Sequence, residues 1–102
     1  MNKAGGCACG AIRFEITQPF VGMGSCHCSD CQKASGGGPN YVALAPKDAL
    51  NVLSGIVKIF DRTAGSGAIV SRAFCGDCGS PLWSIPAYEP FIPIKLGALD
   101  DQ

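Results

Sequence analysis

The sequence lacks both a long hydrophobic run and a net charge. No apolar stretch approaches the ~20 residues that cross a membrane as a helix, and the first residues lack the apolar core of a secretory signal. Eight basic residues balance eight acidic ones, so no overall positive field attracts nucleic acid or anionic lipid. These absences predict a cytoplasmic protein that binds neither nucleic acid nor membrane.

Histidine is scarce as well, with His27 as the single residue, whereas cysteine occurs seven times in 102 residues. A disulfide framework is disfavoured because the count is odd, no export signal is present and the cytosol keeps thiols reduced. Isolated buried cysteines are the other simple interpretation, but these cysteines fall in groups of two, three and two. The grouping favours thiolate metal ligands, namely Cys7, Cys9, Cys26, Cys28, Cys31, Cys75 and Cys78.

The spacing within the three cysteine groups supports metal binding. In chain order the groups read C-x-C, C-x-C-x-x-C and C-x-x-C. Sulfurs bound to one tetrahedral zinc lie roughly 3.8 Å apart, whereas side chains two apart on a strand start about 7 Å apart. A C-x-C pair that shares a metal is therefore expected in a turn, and Gly6 and Gly10 flank the first pair.

Most of the remaining chain predicts short β-strands. Residues 11–17 alternate apolar and polar, which places Ile12, Phe14 and Ile16 on the inward face of a strand. The segment 20–25 is expected to be a partner strand that leads into the central cysteines. Further strands are predicted at 41–45, 51–53, 56–61, 68–74, 82–85 and 91–96, with a helical turn at 46–50 and a hairpin connection at 64–67.

Apart from the single turn at 46–50, helix is predicted at one place only. Ser29 is a suitable N-cap for a short helix that ends near Ala34, and the glycines at 36–38 form a turn or flap rather than a phosphate-binding loop. The aromatic residues Tyr41 and Trp83 are expected in the core more than in a pocket. The fold class is therefore mainly β with one short helix, in a single domain over residues 1–102.

The seven cysteines divide most economically into a closed site and an open one. Cys7, Cys9, Cys75 and Cys78 would enclose a structural zinc, and Cys26, Cys28 and Cys31 would hold a second zinc with one position left for water or substrate. A different partition, such as Cys7 completing the triplet, stays open. His27 lies between two ligands and is expected to point away from the metal, either lining a pocket or lying at the surface.

The cysteine groups and their flanking residues resemble the family of glutathione-dependent formaldehyde-activating enzymes, which also includes centromere protein V. The resemblance covers nearly the whole chain and is carried by four blocks in order: 6–10, 26–33, 74–82 and 97–101. It implies a zinc-bearing β-tent of twisted antiparallel sheets. It also implies two zinc ions per chain, divided between the cysteines as above.

The resemblance implies a carbon–sulfur lyase that resembles S-hydroxymethylglutathione synthase. Glutathione or a similar thiol and a small aldehyde would be its substrates, and a homodimer is compatible with the sequence. Cys26, Cys28 and Cys31 would form the catalytic centre together with His27. Lys33 is the nearest cation in the sequence for a glutathione carboxylate, and Arg62 and Arg72 are two further candidates.

Two other functions use the same residues. In the first, both zinc ions are structural and the surface is a protein-binding module. In the second, the Cys26–Cys31 group stores zinc or senses oxidants. The unmatched triplet Cys26, Cys28 and Cys31 favours an enzyme, because a purely structural design would more often supply a fourth ligand.

Overall fold

Alternating apolar residues build the central strand of the smaller of two sheets. The computed structural model describes residues 3–27, 29–63, 67–87 and 89–100, and for residues 29–31 only the backbone. The described strands are β1 (Lys3–Gly6), β2 (Arg13–Ile16), β3 (Gly22–Cys26), β4 (Asn40–Pro46), β5 (Leu50–Ser54), β6 (Val57–Thr63), β7 (Ile69–Cys75), β8 (Pro81–Pro86) and β9 (Phe91–Lys95). One α-helix, α1 (Ser29–Ser35), and two single-turn 3₁₀ helices, Lys47–Ala49 and Leu96–Ala98, complete the described elements.

The strands form two antiparallel sheets. The smaller has the order β1-β2-β5, and the larger has the order β3-β4-β9-β8-β7-β6. The prediction of a mainly β fold with one short helix is confirmed. Among the residues that the structure describes, no helix has the length and apolarity needed to cross a membrane.

The hydrophobic core lies between the two sheets. Ile12, Phe14 and Ile16 are each at most 2% exposed, which confirms their predicted inward face. The Phe14 ring meets the buried Trp83 ring edge-on, with centroids 5.3 Å apart and planes 76° apart. Trp83 is therefore a core residue, as predicted.

Tyr41 is not a core residue, and that prediction is wrong. Its side chain is 56% exposed. Tyr41 pairs with Ser25 on β3, which is the edge strand of the larger sheet. At this edge its ring lines surface cavities instead of packing between the sheets.

The strand before the central cysteines has a different partner from the one predicted. Residues 22–26 pair with β4, not with β2. Gln18 and Pro19 carry the chain away from the smaller sheet, and the Val21 amide then donates to the Leu44 carbonyl at 2.8 Å. Proline lacks the amide hydrogen that would continue a strand ladder, so the segment joins the edge of the other sheet.

Strand register places a second set of side chains on the face opposite the core. Cys26 lies directly across from Asn40 at one edge of the larger sheet, and Phe60 lies across from Arg72 at the other edge. Residues of α1 line cavities together with residues of both strand pairs. The helix and the exposed face of the larger sheet thus form one continuous surface.

The predicted hairpin connection falls partly on residues 64–66, outside the described residues, and the flanking β6 and β7 pair as a hairpin.

Candidate metal centre and active site

Four cysteine sulfurs from two distant parts of the chain come together. The Sγ atoms of Cys7, Cys9, Cys75 and Cys78 all lie within 4.8 Å of one another. The Cys7–Cys9 and Cys9–Cys75 sulfur distances are 3.5 and 3.7 Å, close to the roughly 3.8 Å that two thiolates keep on one tetrahedral zinc. The four residues could therefore hold a metal ion, and we call them the four-cysteine cluster.

The first two sulfurs of the cluster are brought together by a tight turn. The Gly10 amide donates to the Cys7 carbonyl at 3.2 Å, and Gly10 has a φ of 83°, which other residues rarely adopt. The Cys7 amide then donates to the Ile12 carbonyl at 3.2 Å. This turn confirms that the C-x-C pair does not lie on a regular strand.

The other two sulfurs come from a knuckle at the end of β7. The Gly79 amide donates to the Cys75 carbonyl at 2.8 Å, and the Cys75 amide donates to the Ser80 carbonyl at 3.0 Å. Gly79 has a φ of 76°, so glycine again permits the tight turn. Inside the knuckle the Asp77 amide donates to the Cys75 sulfur at 3.4 Å. The knuckle thus brings a backbone amide to the Cys75 sulfur.

Hydrogen bonds lower the pKa of two thiols of the cluster and so favour their thiolate forms. The Ile12 amide donates to the Cys7 sulfur at 3.2 Å and lowers the pKa of that thiol. The Ser80 hydroxyl, 3.1 Å from the Cys78 sulfur, and the Ser80 amide lower the pKa of Cys78 to about 5. Ser80 Oγ also accepts from the Ala8 amide at 3.0 Å, which joins the two loops.

One sulfur of the cluster resists ionisation unless a cation is present. An amide hydrogen bond from Ala11 favours the Cys9 thiolate, yet hydrogen bonds with Cys7 and Cys75 oppose it and raise the pKa of Cys9 to about 12. Neighbouring thiolates repel one another, and a bound metal cation removes that repulsion. The donor set fits a thiophilic divalent metal such as zinc.

The central cysteine group is described only in part. Cys26 ends β3 and is exposed, and His27 follows it, also exposed. Cys28 lies outside the described residues, and of Cys31 the structure gives only its backbone position in α1. The Gln32 side-chain amide donates to the His27 carbonyl at 2.7 Å, which ties the start of α1 to the end of β3.

The three candidate cations come together beside α1. Lys33 of α1, Arg62 of β6 and Arg72 of β7 line one cleft of about 330 Å³, with Ala34 and Phe60 as its other described lining residues. The sequence suggested each cation separately. Only the pairing of β6 with β7 and the position of the helix bring them together.

A larger cavity of about 580 Å³ separates the four-cysteine cluster from α1. Asn40 and Lys95, both more than nine-tenths buried, line it and are joined by a hydrogen bond from Lys95 Nζ to Asn40 Oδ1. Arg13 and Asp100 form a bidentate ion pair on another part of its lining. Sequence reasoning assigned no role to any of the four residues, although Asp100 lies in the block 97–101 that carries the family resemblance.

The predicted site residues therefore fall into separate sets. The four-cysteine cluster is assembled, and Lys33 lies in a cleft with two arginines. Cys26 and His27 lie at the exposed end of β3, just before α1 begins at Ser29. Ser80 was also missed as a partner of Cys78, although its position two residues after the knuckle was a usable signal.

Comparison with known proteins places these features in a family. The sequence profile described as glutathione-dependent formaldehyde-activating enzyme matches residues 2–102. A Halomonas elongata protein is 34% identical over 107 residues, covering 100% of this chain and 68% of that protein. A Penicillium rubens protein is 33% identical over 88 residues, covering 83% of this chain and 45% of that protein. Both carry a provisional name as glutathione-dependent formaldehyde-activating enzymes.

The fold has a counterpart among solved structures. A crystal structure of a Rhodobacter sphaeroides protein superposes with a TM-score of 0.75 at 22% sequence identity, over 97% of this chain and 89% of that one. At this identity the likeness supports the fold alone. The profile match over nearly the whole length is the evidence for ancestry, and by that evidence the chain belongs to the glutathione-dependent formaldehyde-activating enzyme family.

Proposed function

We propose that the protein is a zinc-dependent carbon–sulfur lyase that adds glutathione or a similar thiol to a small aldehyde. Membership of the family is the observation that carries this proposal. The contrast between the cysteine groups supports it, because one group is already complete with four sulfurs. The remaining group, Cys26, Cys28 and Cys31, supplies three.

In this proposal the protein binds two zinc ions, one structural and one catalytic. The four-cysteine cluster holds a structural ion, since its four sulfurs satisfy tetrahedral coordination. Cys26, Cys28 and Cys31 would hold the second ion, and with only three protein sulfurs this ion could also take the substrate sulfur. When bound there, zinc lowers the pKa of a substrate thiol and fixes the position of its sulfur.

The proposed reaction is an addition in which atoms balance without an oxidant. The substrate thiolate attacks the carbonyl carbon of the aldehyde, a carbon–sulfur bond forms, and the carbonyl π electrons move to oxygen. The oxygen takes up a proton, so that the thiol proton ends on the new hydroxyl group. His27, exposed at the end of β3, is the proposed proton carrier, and Lys33 is the proposed cation for a substrate carboxylate.

A protein-binding module is the second candidate function, and the sheet edges favour it. The edge strands β3 and β6 expose apolar side chains, with Met23 68%, Ile59 47% and Phe60 56% exposed. Such edges are open to strand pairing with another chain. In that function both metal ions would be structural and no thiol would bind.

Cobalt substitution separates the two functions. We expect two cobalt ions per chain, and glutathione should change the thiolate-to-cobalt absorption of one of them. The change should be lost in Cys28→Ser and kept in Lys47→Gln, an exposed residue outside the cysteine groups. An unchanged spectrum at millimolar glutathione would contradict the proposed enzyme and favour the module.

Activity is tested separately, because formaldehyde and glutathione combine spontaneously. We expect the zinc-loaded protein to accelerate formaldehyde consumption above that background, and Cys28→Ser to return it to the background rate. The cytoplasmic location, the single domain over residues 1–102 and a homodimer are further proposals. Cell fractionation, limited proteolysis and light scattering test them in turn.

A further inference from the structure

A cleft beside α1 gathers basic side chains from three elements. Lys33, Arg62 and Arg72 line it, and none of its described lining residues is acidic. We call it the basic cleft. Cations that line a common cleft reinforce one another's potential and concentrate anions there.

Strand register fixes the positions of the strand residues that line the basic cleft. Phe60 is directly opposite Arg72 in the β6–β7 ladder, and Arg62, two residues beyond Phe60, lies on the same face. Arg72 is in turn opposite Ser84, and its Nη1 donates to the Ser84 hydroxyl at 3.4 Å. Ser84 is buried, so it holds the guanidinium from the sheet side.

The basic cleft lies next to the proposed thiol site. Lys33 and Ala34 follow Cys31 by two and three positions in α1. Ala34, three positions and about 4.5 Å of rise after Cys31, lies on the same face of the helix as Cys31, whereas Lys33, two positions after it, starts from the other side. A thiol held by the central cysteine group would therefore have its neighbouring groups within reach of the cleft.

We propose that the basic cleft binds the glycine carboxylate of glutathione and so selects thiols that carry a carboxylate one residue beyond the cysteine. A residue spans at most about 3.6 Å, which is comparable with the rise of about 4.5 Å from Cys31 to Ala34 in α1. The γ-glutamyl carboxylate is a poorer occupant because an ammonium group adjoins it and three cations would repel that group. Guanidinium groups match a carboxylate with two parallel hydrogen bonds, and the half-exposed Phe60 ring offers an apolar wall for the glycine methylene.

This inference depends on the proposed function for the identity of the thiol, but not for binding of a carboxylate. S-Methylglutathione is therefore the probe, because it has no thiol to ligate a metal. Calorimetric titration of the zinc-loaded full chain should show binding that weakens about tenfold in Arg62→Gln, the loss of one charge-assisted hydrogen bond. Arg62→Lys should lose less, and Lys47→Gln, the exposed control, should bind as the parent does.

An ester closes the thermodynamic cycle. S-Methylglutathione esterified at its glycine carboxylate should bind the parent protein about tenfold more weakly than the acid. The Arg62→Gln variant should discriminate far less between acid and ester, because the partner of the carboxylate is already gone. Equal binding of acid and ester by the parent protein would overturn the inference. So would full discrimination retained in both Arg62→Gln and Lys33→Gln.

The two proposals fail in different experiments. If the acid–ester cycle shows coupling while glutathione leaves the cobalt spectrum unchanged, the basic cleft stands and the enzyme proposal fails. If the cobalt spectrum responds but the cycle shows no coupling, the thiol site stands and the basic cleft is overturned. Far-UV circular dichroism checks that each variant is folded, and Arg62 is exposed enough for its replacement to be tolerated.

Discussion

The four-cysteine cluster and the central cysteine group differ in how the fold surrounds them. The cluster joins the loop between β1 and β2, which belong to the smaller sheet, to the end of β7, which belongs to the larger sheet. Its Cys75 is only 1% exposed, and backbone amides donate to the sulfurs of Cys7 and Cys75. Cys26, by contrast, ends an edge strand in which four of the five residues are exposed.

The two proposed metal sites would therefore affect stability differently. A metal in the cluster would crosslink two sheets, so its binding free energy would become folding free energy. A metal at the central group would depend on one edge strand and a seven-residue helix, which open at lower cost than the core. In the proposed function, stability and reactivity would therefore belong to separate parts of a small chain.

Replacing one cysteine from each region gives the largest expected contrast. Cys75→Ser should release the cluster metal and lower the free energy of unfolding by about 5 kcal/mol, comparable with the whole stability of a small domain. Cys26→Ser should cost less than about 2 kcal/mol, because the opening it causes is local. Metal content by mass spectrometry and thermal unfolding measure both effects, and equal losses would contradict the division.

Two strand glycines provide a second contrast without touching a metal ligand. A Cβ at Gly5 of β1 would lie 2.2 Å from the Ala98 carbonyl oxygen and 2.7 Å from the Phe14 ring, whereas one at Gly24 of β3 would meet nothing within 4 Å. Gly5→Ala should therefore destabilise by about 3 kcal/mol through overpacking. Gly24→Ala should be neutral or stabilising by up to about 1 kcal/mol.

Denaturant unfolding of the two alanine variants measures this difference directly. Each is the other's control, since the substitution is identical. If both lost stability equally, the region around Cys26 would be packed as tightly as the region around β1. That outcome would remove the basis for a separately opening site.

Short-range patterns predicted much of this fold. The alternation around Phe14 identified β2 and its buried face, and the C-x-C and C-x-x-C spacings identified the four sulfurs that converge. These features depend on neighbours in the sequence, on turn chemistry and on ligand spacing. They could be read without knowing which strands pair.

Features set by strand pairing could not be read in this way. The segment 22–26 pairs with β4 rather than β2, and Tyr41 is exposed because β4 lies next to this edge strand. β1 was missed because its Gly5 and Gly6 resemble a turn, although Gly5 serves close packing. The meeting of Lys33 with Arg62 and Arg72 likewise depends on register and helix position.

Ser80→Ala should weaken metal binding at the cluster while leaving the central group unaffected. The Ser80 hydroxyl contacts the Cys78 sulfur and accepts from the Ala8 amide, so its loss removes a partner that orients a ligand. Changes of this kind typically cost about 10- to 100-fold in metal affinity. Competition with a chromophoric chelator measures the loss, and Ser71→Ala, whose hydroxyl contacts Asp61, is the matched control.

A loss that appeared in both metal sites would contradict the separation of the two regions. A loss of the same size in Ser71→Ala would show that general destabilisation, and not the contact with Cys78, is responsible. Cobalt spectra distinguish these cases, since in the proposed function the response to glutathione would report the central group alone. The expected result is weaker cluster affinity with that response unchanged.

The smallest expected effect comes from the ion pair beside the cluster. Arg13 donates two hydrogen bonds to Asp100, and this pairing lowers the pKa of the Asp100 carboxyl. Because the pKa is lower in the folded state, the pair stabilises the fold fully above the unfolded value of about 3.9. That contribution is lost as the pH falls through the folded value. Both side chains are partly exposed, so the contribution is modest.

Asp100→Asn should therefore lower the thermal midpoint at pH 7, and its gap from the parent protein should close as the pH falls below about 4. Asp48→Asn, at an exposed residue without an ion pair among the described residues, should leave the midpoint at pH 7 unchanged. A gap that persisted at low pH would mean that the stability lost in Asp100→Asn does not come from the charge of Asp100. The ion pair would then add nothing to the stability of the region around the four-cysteine cluster. The difference in stability between this region and the central cysteine group would depend on the bound metal and the hydrophobic core alone.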